Sequence, residues 1–120
     1  MPRFVILEHD SPTTHWDLML EAGSVLRTWR LAQPPRPGEA IDAVAVFDHR
    51  LPYLDYEGPI SGDRGRVVRW ERGTFTEQEG SERRLVVHVQ GERLRGVLVL
   101  EHAEGDTWHC EFHPSATANS

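Results

Sequence analysis

The alternation of apolar and polar residues is the feature that most constrains how this chain can fold. Apolar residues recur mostly at every second position, and no window of 11 or more residues carries a sustained helical stripe. Alternation of this kind is typical of strands with one buried face. The predicted strands cover residues 4–7, 15–21, 25–31, 43–47, 66–70, 74 onward, 85–90, 94–100 and 108–112. The pattern therefore predicts a mainly β protein of about eight antiparallel strands, folded as a barrel or a sandwich.

Glycine, proline and polar residues mark the connections between these strands. Tight turns are predicted at residues 22–24 and 91–92, which would make two hairpins. Three prolines within residues 34–37 predict a loop, because proline supplies no backbone donor to a sheet. The remaining connections are a short helical piece at 51–56, a glycine-rich loop at 59–65, a turn at 71–73 and a mobile polar segment at 77–84.

Length and residue usage predict one small domain. We expect a single domain over residues 1–113 and a flexible tail over 114–120, since 120 residues suit one core. The single cysteine, Cys110, cannot form an internal disulfide. The apolar start is too short for a signal peptide, and no run is long enough to span a membrane. These observations predict a cytoplasmic monomer that does not associate with membranes.

Charge and the absence of lysine limit the chemistry. The net charge is -6, with 19 acidic residues against 13 basic ones. Broad binding to nucleic acid rests on many phosphate contacts, so this balance argues against it but leaves capture of one strand end open. All 13 basic residues are arginine. Lysine Schiff-base chemistry, a P-loop lysine and a lysyl-nucleotide intermediate are therefore excluded.

Two histidines and an aspartate near the N-terminus form a candidate metal site. His15 and Asp17 lie two apart in a predicted strand, so they share one face, and His9 lies just before that strand. Imidazole and carboxylate suit Zn²⁺, Mn²⁺ or a similar ion, and three protein ligands leave a coordination position open. The alternative is that these are ordinary polar residues, because the spacing by itself has little specificity.

A second polar cluster follows the predicted strand 43–47. His49 and Tyr53 lie there, where a scaffold commonly presents functional groups, and both could donate hydrogen bonds to a phosphate. The alternative is a structural loop in which Tyr53 and Tyr56 are core aromatic residues with satisfied hydroxyls.

These clusters resemble motifs of a known family, the 3'-phosphoesterase domain of bacterial DNA ligase D. Its first motif, F-V-x-Q-x-H-x-A-x-x-L-H-Y-D-x-R-L-E, is similar to residues 4–21. Its segment V-x-D-H-P-x-x-Y-x-x-F-E-G is similar to residues 46–58, and V-x-x-W-x-x-G-T-[WF] to residues 67–75. Further likeness at 26–34 and 94–100 extends the match, in order, from residue 4 to about 112.

The resemblance implies a compact antiparallel β-barrel with one or two short helical turns and a concave site. It implies a metal-dependent hydrolase of DNA repair that removes a terminal ribonucleotide and then the 3'-phosphate, usually with Mn²⁺; Zn²⁺ is the second candidate. By position, His9, His15 and Asp17 correspond to metal ligands, and His49 and Tyr53 to the catalytic, phosphate-binding pair. The implied partners are DNA or RNA-containing 3' ends, together with end-joining proteins encoded separately.

The sequence also departs from the family pattern. Met19 stands where the family has an arginine, and Leu7 stands where it has a glutamine. The loop at 59–65 is short, and we expect the family's polar N-terminal arm to be missing. Arg64 and Arg66 are the candidates to replace the arginine at the phosphate. Three functions stay open: an active phosphoesterase, a weak or inactive metal- and phosphate-binding module, and a hydrolase of a smaller phosphate ester such as a nucleotide.

Overall fold

Antiparallel pairing of consecutive strands closes the chain into a barrel in the computed structural model, which describes residues 1–115. The strands are β1 (Arg3–His9), β2 (His15–Ala22), β3 (Val25–Leu31), β4 (Ala40–Arg50), β5 (Gly58–Pro59), β6 (Arg66–Gly80), β7 (Arg84–Gly91), β8 (Arg95–Glu104) and β9 (Thr107–Pro114). The order around the sheet is β1-β2-β3-β4-β9-β8-β7-β6, and pairing of β1 with β6 completes the closure. The two residues of β5 pair with the start of β6. The predicted eight-stranded antiparallel barrel is confirmed.

Two hydrophobic clusters lie on opposite faces of the barrel wall. The larger cluster draws residues from every strand except β5 and fills the interior, with the rings of Trp29 and Trp108 in edge contact at 5.6 Å between centroids. Phe4 and Ile6 belong to it, whereas Val5 and Leu7 belong to the smaller cluster. Because successive strand residues point to opposite faces, the smaller cluster lies outside the barrel.

The outer cluster is covered by the only helical piece in residues 1–115. This is a single 3-10 turn over Leu51–Leu54, at the predicted position, and its Leu54 is buried in the outer cluster. The other members of that cluster are Val5, Leu7, Met19, Leu26 and Val67. The outer face of β1, β2 and β3 is therefore a second packed layer, and the candidate site lies at its edge.

The predicted turn at 71–73 is wrong, because β6 runs without a break from Arg66 to Gly80. Glu71 is only 2% exposed, and its carboxylate accepts backbone N–H groups from the turn between β7 and β8. A buried carboxylate is stable when its oxygens are fully hydrogen-bonded. Gly73 marks a close approach to β7, since a Cβ there would lie 2.0 Å from the carbonyl oxygen of Gln90.

The polar segment predicted to be mobile at 77–84 is largely ordered strand. Glu77 and Glu79 pair with β7 around a bulge, and Ser81 caps the turn by accepting the backbone N–H of Arg84 at 3.1 Å. Residues 76–80 of β6 are all exposed, although most of their partners on β7 are buried, which is why the hydrophobic pattern did not reveal this part of β6.

The ends of the chain are only partly described. Strand β9 extends to Pro114, and the predicted tail otherwise falls at 116–120, outside the described residues. None of the helical structure in residues 1–115 is long and apolar enough to cross a membrane.

Candidate metal centre and phosphate-binding cavity

The hairpin of β1 and β2 brings the three predicted metal ligands together. His9 ends β1 and His15 begins β2, and the two are cross-strand partners in the antiparallel ladder. Asp17 lies two residues further along β2, so its side chain projects from the same face. The candidate ligand atoms of these residues all lie within 4.8 Å of one another, the only such cluster of three found within residues 1–115.

Backbone carbonyl groups determine which nitrogen of each imidazole carries a proton. His15 Nδ1 lies 3.0 Å from the carbonyl oxygen of Thr13, and His9 Nε2 lies 2.7 Å from that of Arg64. A carbonyl only accepts hydrogen bonds, so both of these nitrogens must donate. The nitrogens left with a lone pair in the neutral rings are therefore His9 Nδ1 and His15 Nε2.

Both lone-pair nitrogens face the same carboxylate oxygen. Asp17 Oδ2 lies 3.3 Å from His15 Nε2 and 3.7 Å from His9 Nδ1. His15 Nε2 is buried and has no hydrogen-bond partner, which is costly for a polar atom unless something else satisfies it. A cation among the three atoms would satisfy all of them, and backbone acceptors behind ligating histidines are the usual outer support of metal sites. The donor set therefore fits a divalent ion such as Mn²⁺ or Zn²⁺.

Arg30 lies against the other oxygen of the same carboxylate. It is the cross-strand partner of Asp17 on β3, and its Nε lies 4.0 Å from Asp17 Oδ1. Its side chain is 47% exposed, so the guanidinium can turn toward a ligand. The carboxylate thus has two imidazoles on one side and a mobile cation on the other.

A cavity of about 430 Å³ connects this cluster to the second predicted cluster. His9, Asp17, His49 and Tyr53 all line it. His49 lies near the end of β4, and Tyr53 lies in the 3-10 turn, with the two rings in edge contact at 5.5 Å between centroids. His49 Nδ1 donates to the carbonyl oxygen of Phe47 at 3.0 Å, which leaves Nε2 to interact with a ligand.

The two arginines predicted to replace the missing one occupy different places. Arg64 lines the cavity, but its guanidinium donates to Ser61 at 2.6 and 3.1 Å. Arg66 pairs with Pro59 at the start of β6, its backbone N–H bonds to Asp10, and its side chain is not among those lining the cavity. Of the two, Arg64 is the one placed to reach a bound phosphate.

The residues at the departures from the family pattern are apolar and packed. Met19 is 1% exposed and lies in the wall of the cavity, and Leu7 is buried with it in the outer cluster. The cavity wall is therefore apolar at position 19.

Among the cavity residues that sequence reasoning did not single out are two cations and an aromatic ring, Arg30, Arg50 and Phe47. The signal for Arg30 was available, because a hairpin turn at 23–24 places residue 30 opposite residue 17. Alternation along β4 also places Phe47 on the face of His49. Both residues lie within the matched segments 26–34 and 46–58, but not at positions that carry the family resemblance, which is why they were not singled out.

Comparison with known families identifies the family to which the chain belongs. A family model described as the DNA Ligase D 3'-phosphoesterase domain matches residues 7–102. This chain belongs to the DNA ligase D 3'-phosphoesterase domain family. The predicted resemblance is confirmed.

Individual members of this phosphoesterase family are similar over most of the chain. The multifunctional non-homologous end joining DNA repair protein LigD of Mycobacterium tuberculosis is 31% identical over 114 residues, which cover 88% of this chain. The multifunctional non-homologous end joining protein LigD of Pseudomonas aeruginosa is 35% identical over 104 residues, or 78% of this chain. The chain spans only about 15% and 12% of the lengths of these two relatives. The likeness thus concerns one phosphoesterase domain of much longer proteins.

Proposed function

We propose that this domain is a metal-dependent phosphoesterase that processes nucleic-acid 3' ends. The proposal rests on the cluster of His9, His15 and Asp17, in which two unprotonated nitrogens and a carboxylate converge. This cluster lies at a cavity that His49 and Tyr53 also line. Family membership supports a 3'-phosphate, or a 3'-terminal ribonucleotide, as the substrate. DNA or RNA-containing ends are the proposed partners, with separately encoded end-joining proteins, and the domain is proposed to act as a cytoplasmic monomer.

The three ligands would hold the ion, with Mn²⁺ proposed first and Zn²⁺ second. When bound, such an ion supplies Lewis-acid polarisation of a phosphoryl oxygen and acidification of water. The protein's own contribution is to fix the ligand geometry. The carbonyl groups of Thr13 and Arg64 hold the two imidazoles in orientation, so little reorganisation is needed when an ion enters.

Other residues of the cavity would bind and protonate the substrate. Tyr53 would donate its hydroxyl hydrogen to a phosphoryl oxygen, and Arg30 would bind the phosphate as a charged hydrogen-bond donor; both side chains line the cavity. In hydrolysis, water forms a bond to phosphorus as the bond to the 3' oxygen breaks, and that oxygen must gain a proton. His49 in its imidazolium form is the proposed donor: Nε2 gives up its proton while Nδ1–H stays bonded to the Phe47 carbonyl oxygen.

Arg30 is the proposed substitute for the arginine replaced by Met19. Its Nε lies 4.0 Å from Asp17 Oδ1 on the neighbouring strand, which puts the guanidinium beside the proposed ion and in the same cavity as Met19. Arg64 is a second cation at the cavity, although Ser61 already engages its guanidinium. This interpretation retains a phosphate clamp while moving it from β2 to β3.

Phosphate release from an oligonucleotide with a 3'-phosphate, in the presence of Mn²⁺, tests this proposal. We expect release by the wild-type protein and loss of release in His15→Ala and in His49→Ala. His109→Ala, which removes an exposed histidine on β9, is the matched control and should keep wild-type activity. Wild-type release by His15→Ala would contradict the assignment of the metal centre.

A second candidate function is a metal- and phosphate-binding module without turnover. The buried Met19 favours it, because the cavity floor is apolar where the family has an arginine. Binding of Mn²⁺ and of the 3'-phosphate oligonucleotide without phosphate release would support this candidate. A gain of activity in Met19→Arg would then indicate a degraded enzyme, and no gain would indicate a repurposed site.

A further inference from the structure

Phe47 is an aromatic side chain that the barrel does not use. It is 77% exposed, although most other large apolar side chains of the described chain are buried in the two clusters. Leaving a phenyl ring in water forgoes about 2 kcal/mol of burial. It lies at the rim of the cavity that contains the proposed metal ligands. Its position is therefore explained by something other than packing of the fold.

The plane of the Phe47 ring is defined by its neighbour. The phenyl ring lies parallel to the His49 imidazole, with an interplanar angle of 4° and 4.9 Å between centroids. The backbone carbonyl of Phe47 also accepts the His49 Nδ1 hydrogen. One face of the phenyl ring is thus stacked on the proposed phosphate-binding histidine, and its exposure leaves room for a flat ligand on the other face.

We infer that Phe47 is a stacking platform for the terminal nucleobase of the strand whose 3'-phosphate enters the cavity. This inference rests on the proposed function for the location of the phosphate. Aromatic side chains stack on the π-faces of bases and therefore accept any of the four bases. A terminal base has one face free of neighbours, whereas an internal base has none, so a stacking ring at the rim of the site selects a strand end.

The surrounding charges agree with this placement. Arg30, Arg50 and Arg64 line the same cavity against two carboxylates, Asp17 and Asp48. A nucleotide would therefore meet an excess of guanidinium groups at its phosphate and a phenyl ring at its base. The overall charge of -6 offers no broad attraction to a long duplex. Recognition concentrated on one terminal nucleotide fits a protein of this charge.

Two fluorescein-labelled oligonucleotides with a 3'-phosphate test the inference, one with its terminal base and one with an abasic terminal sugar. Fluorescence anisotropy, recorded under conditions in which no phosphate is released, measures their dissociation constants. The proteins compared are the wild type, Phe47→Leu and Phe47→Trp. Stacking is worth about 1–3 kcal/mol per base, so we expect about 5- to 150-fold tighter wild-type binding of the oligonucleotide with the base. Phe47→Leu, which keeps apolar bulk, should bring this ratio close to one, and Phe47→Trp should maintain it.

The outcomes separate this inference from the proposed function. A ratio near one for the wild-type protein, an unchanged ratio in Phe47→Leu, or no oligonucleotide binding at all would overturn the inference. If Phe47 serves only to orient His49, Phe47→Leu would weaken both oligonucleotides equally, which also overturns it. A Phe47-dependent ratio in a protein that releases no phosphate would support stacking while contradicting the phosphoesterase assignment.

Discussion

His9 and His15 face each other across the β1–β2 ladder, with 4.8 Å between ring centroids and an interplanar angle of 64°. Each ring donates to a backbone carbonyl through one nitrogen and turns the other toward Asp17. The backbone carbonyl groups behind the two rings, from Arg64 and Thr13, hold them in this orientation.

Replacing His15 with alanine should abolish binding of Mn²⁺. The variant removes the ligand whose Nε2 is buried without a partner, so affinity should fall by at least about 100-fold. Isothermal titration calorimetry with Mn²⁺ measures this change. His109→Ala controls for unspecific binding to a surface histidine, and undiminished affinity in His15→Ala would refute the metal centre.

Arg30→Gln should lower phosphate release while leaving the fold intact. Removal of one preorganised charged donor typically costs on the order of 100-fold in kcat, and Arg30 is half-exposed, so the barrel does not depend on it. The measurement is the initial rate of phosphate release with Mn²⁺. Arg83→Gln, in the exposed turn before β7, is the matched control. Equal rates for both variants would show that Arg30 does not bind the phosphate.

Glu71→Ala should strongly destabilise the barrel. The Glu71 carboxylate accepts backbone N–H groups of Glu92, Arg93 and Leu94 at 2.5–2.8 Å, and that of Arg72 at 2.8 Å. Loss of these charge-assisted bonds should lower the free energy of unfolding by about 2–4 kcal/mol. Urea denaturation of the metal-free protein measures it.

The control for that experiment is Glu82→Ala, which removes an exposed carboxylate and should change the free energy of unfolding by less than about 0.5 kcal/mol. Similar urea midpoints for the two variants would mean that water replaces Glu71 in the β7–β8 turn without loss. Glu71→Gln, which keeps one acceptor oxygen, should lie between alanine and the wild type.

Cys110 should be unreactive in the folded protein. Burial in the barrel interior raises the pKa of its thiol from 9.0 to about 12, so very little thiolate forms near pH 8. Alkylation by iodoacetamide at pH 8 should be slow in buffer and fast in urea. Comparable rates under the two conditions would show that the barrel opens readily around β9.

The same thiol should make stability fall at alkaline pH. The unfolded chain loses the Cys110 proton near pH 9, whereas the folded protein retains it up to about pH 12. The contribution is therefore fully present below pH 9 and is lost progressively as pH rises from 9 to 12. Cys110→Ala, compared with the wild type by urea midpoint at pH 8 and at pH 10.5, should show a smaller loss.

Much of the fold could be predicted because alternation is local. The spacing of apolar residues marks the strands, and short glycine turns such as that at 23–24 mark the hairpins. The turn predicted at 71–73 was wrong for a physical reason. Glu71 and Gly73 look like turn residues, but one binds the N–H groups of a distant turn and the other allows a close strand approach.

The candidate site was predictable to the same extent. Motif likeness singled out His9, His15, Asp17, His49 and Tyr53. All of these except His15 line one cavity, and His15 lies in the cluster with His9 and Asp17. Their roles stay predictions until metal and substrate are tested. Arg30 and Phe47 were missed because strand pairing and side-chain orientation, rather than motif spacing, bring them to the site.

The sequence by itself determined most of the strand pattern, the absence of lysine chemistry, the residue types of the candidate site and the family, since each is encoded in residue identity and short spacing. The tertiary structure decided which nitrogen of each histidine is free, which arginine lies beside Asp17, and which aromatic ring stays exposed at the rim. These depend on groups far apart in the chain, such as the Arg64 carbonyl that orients His9. Only closure of the barrel brings such groups within hydrogen-bonding distance.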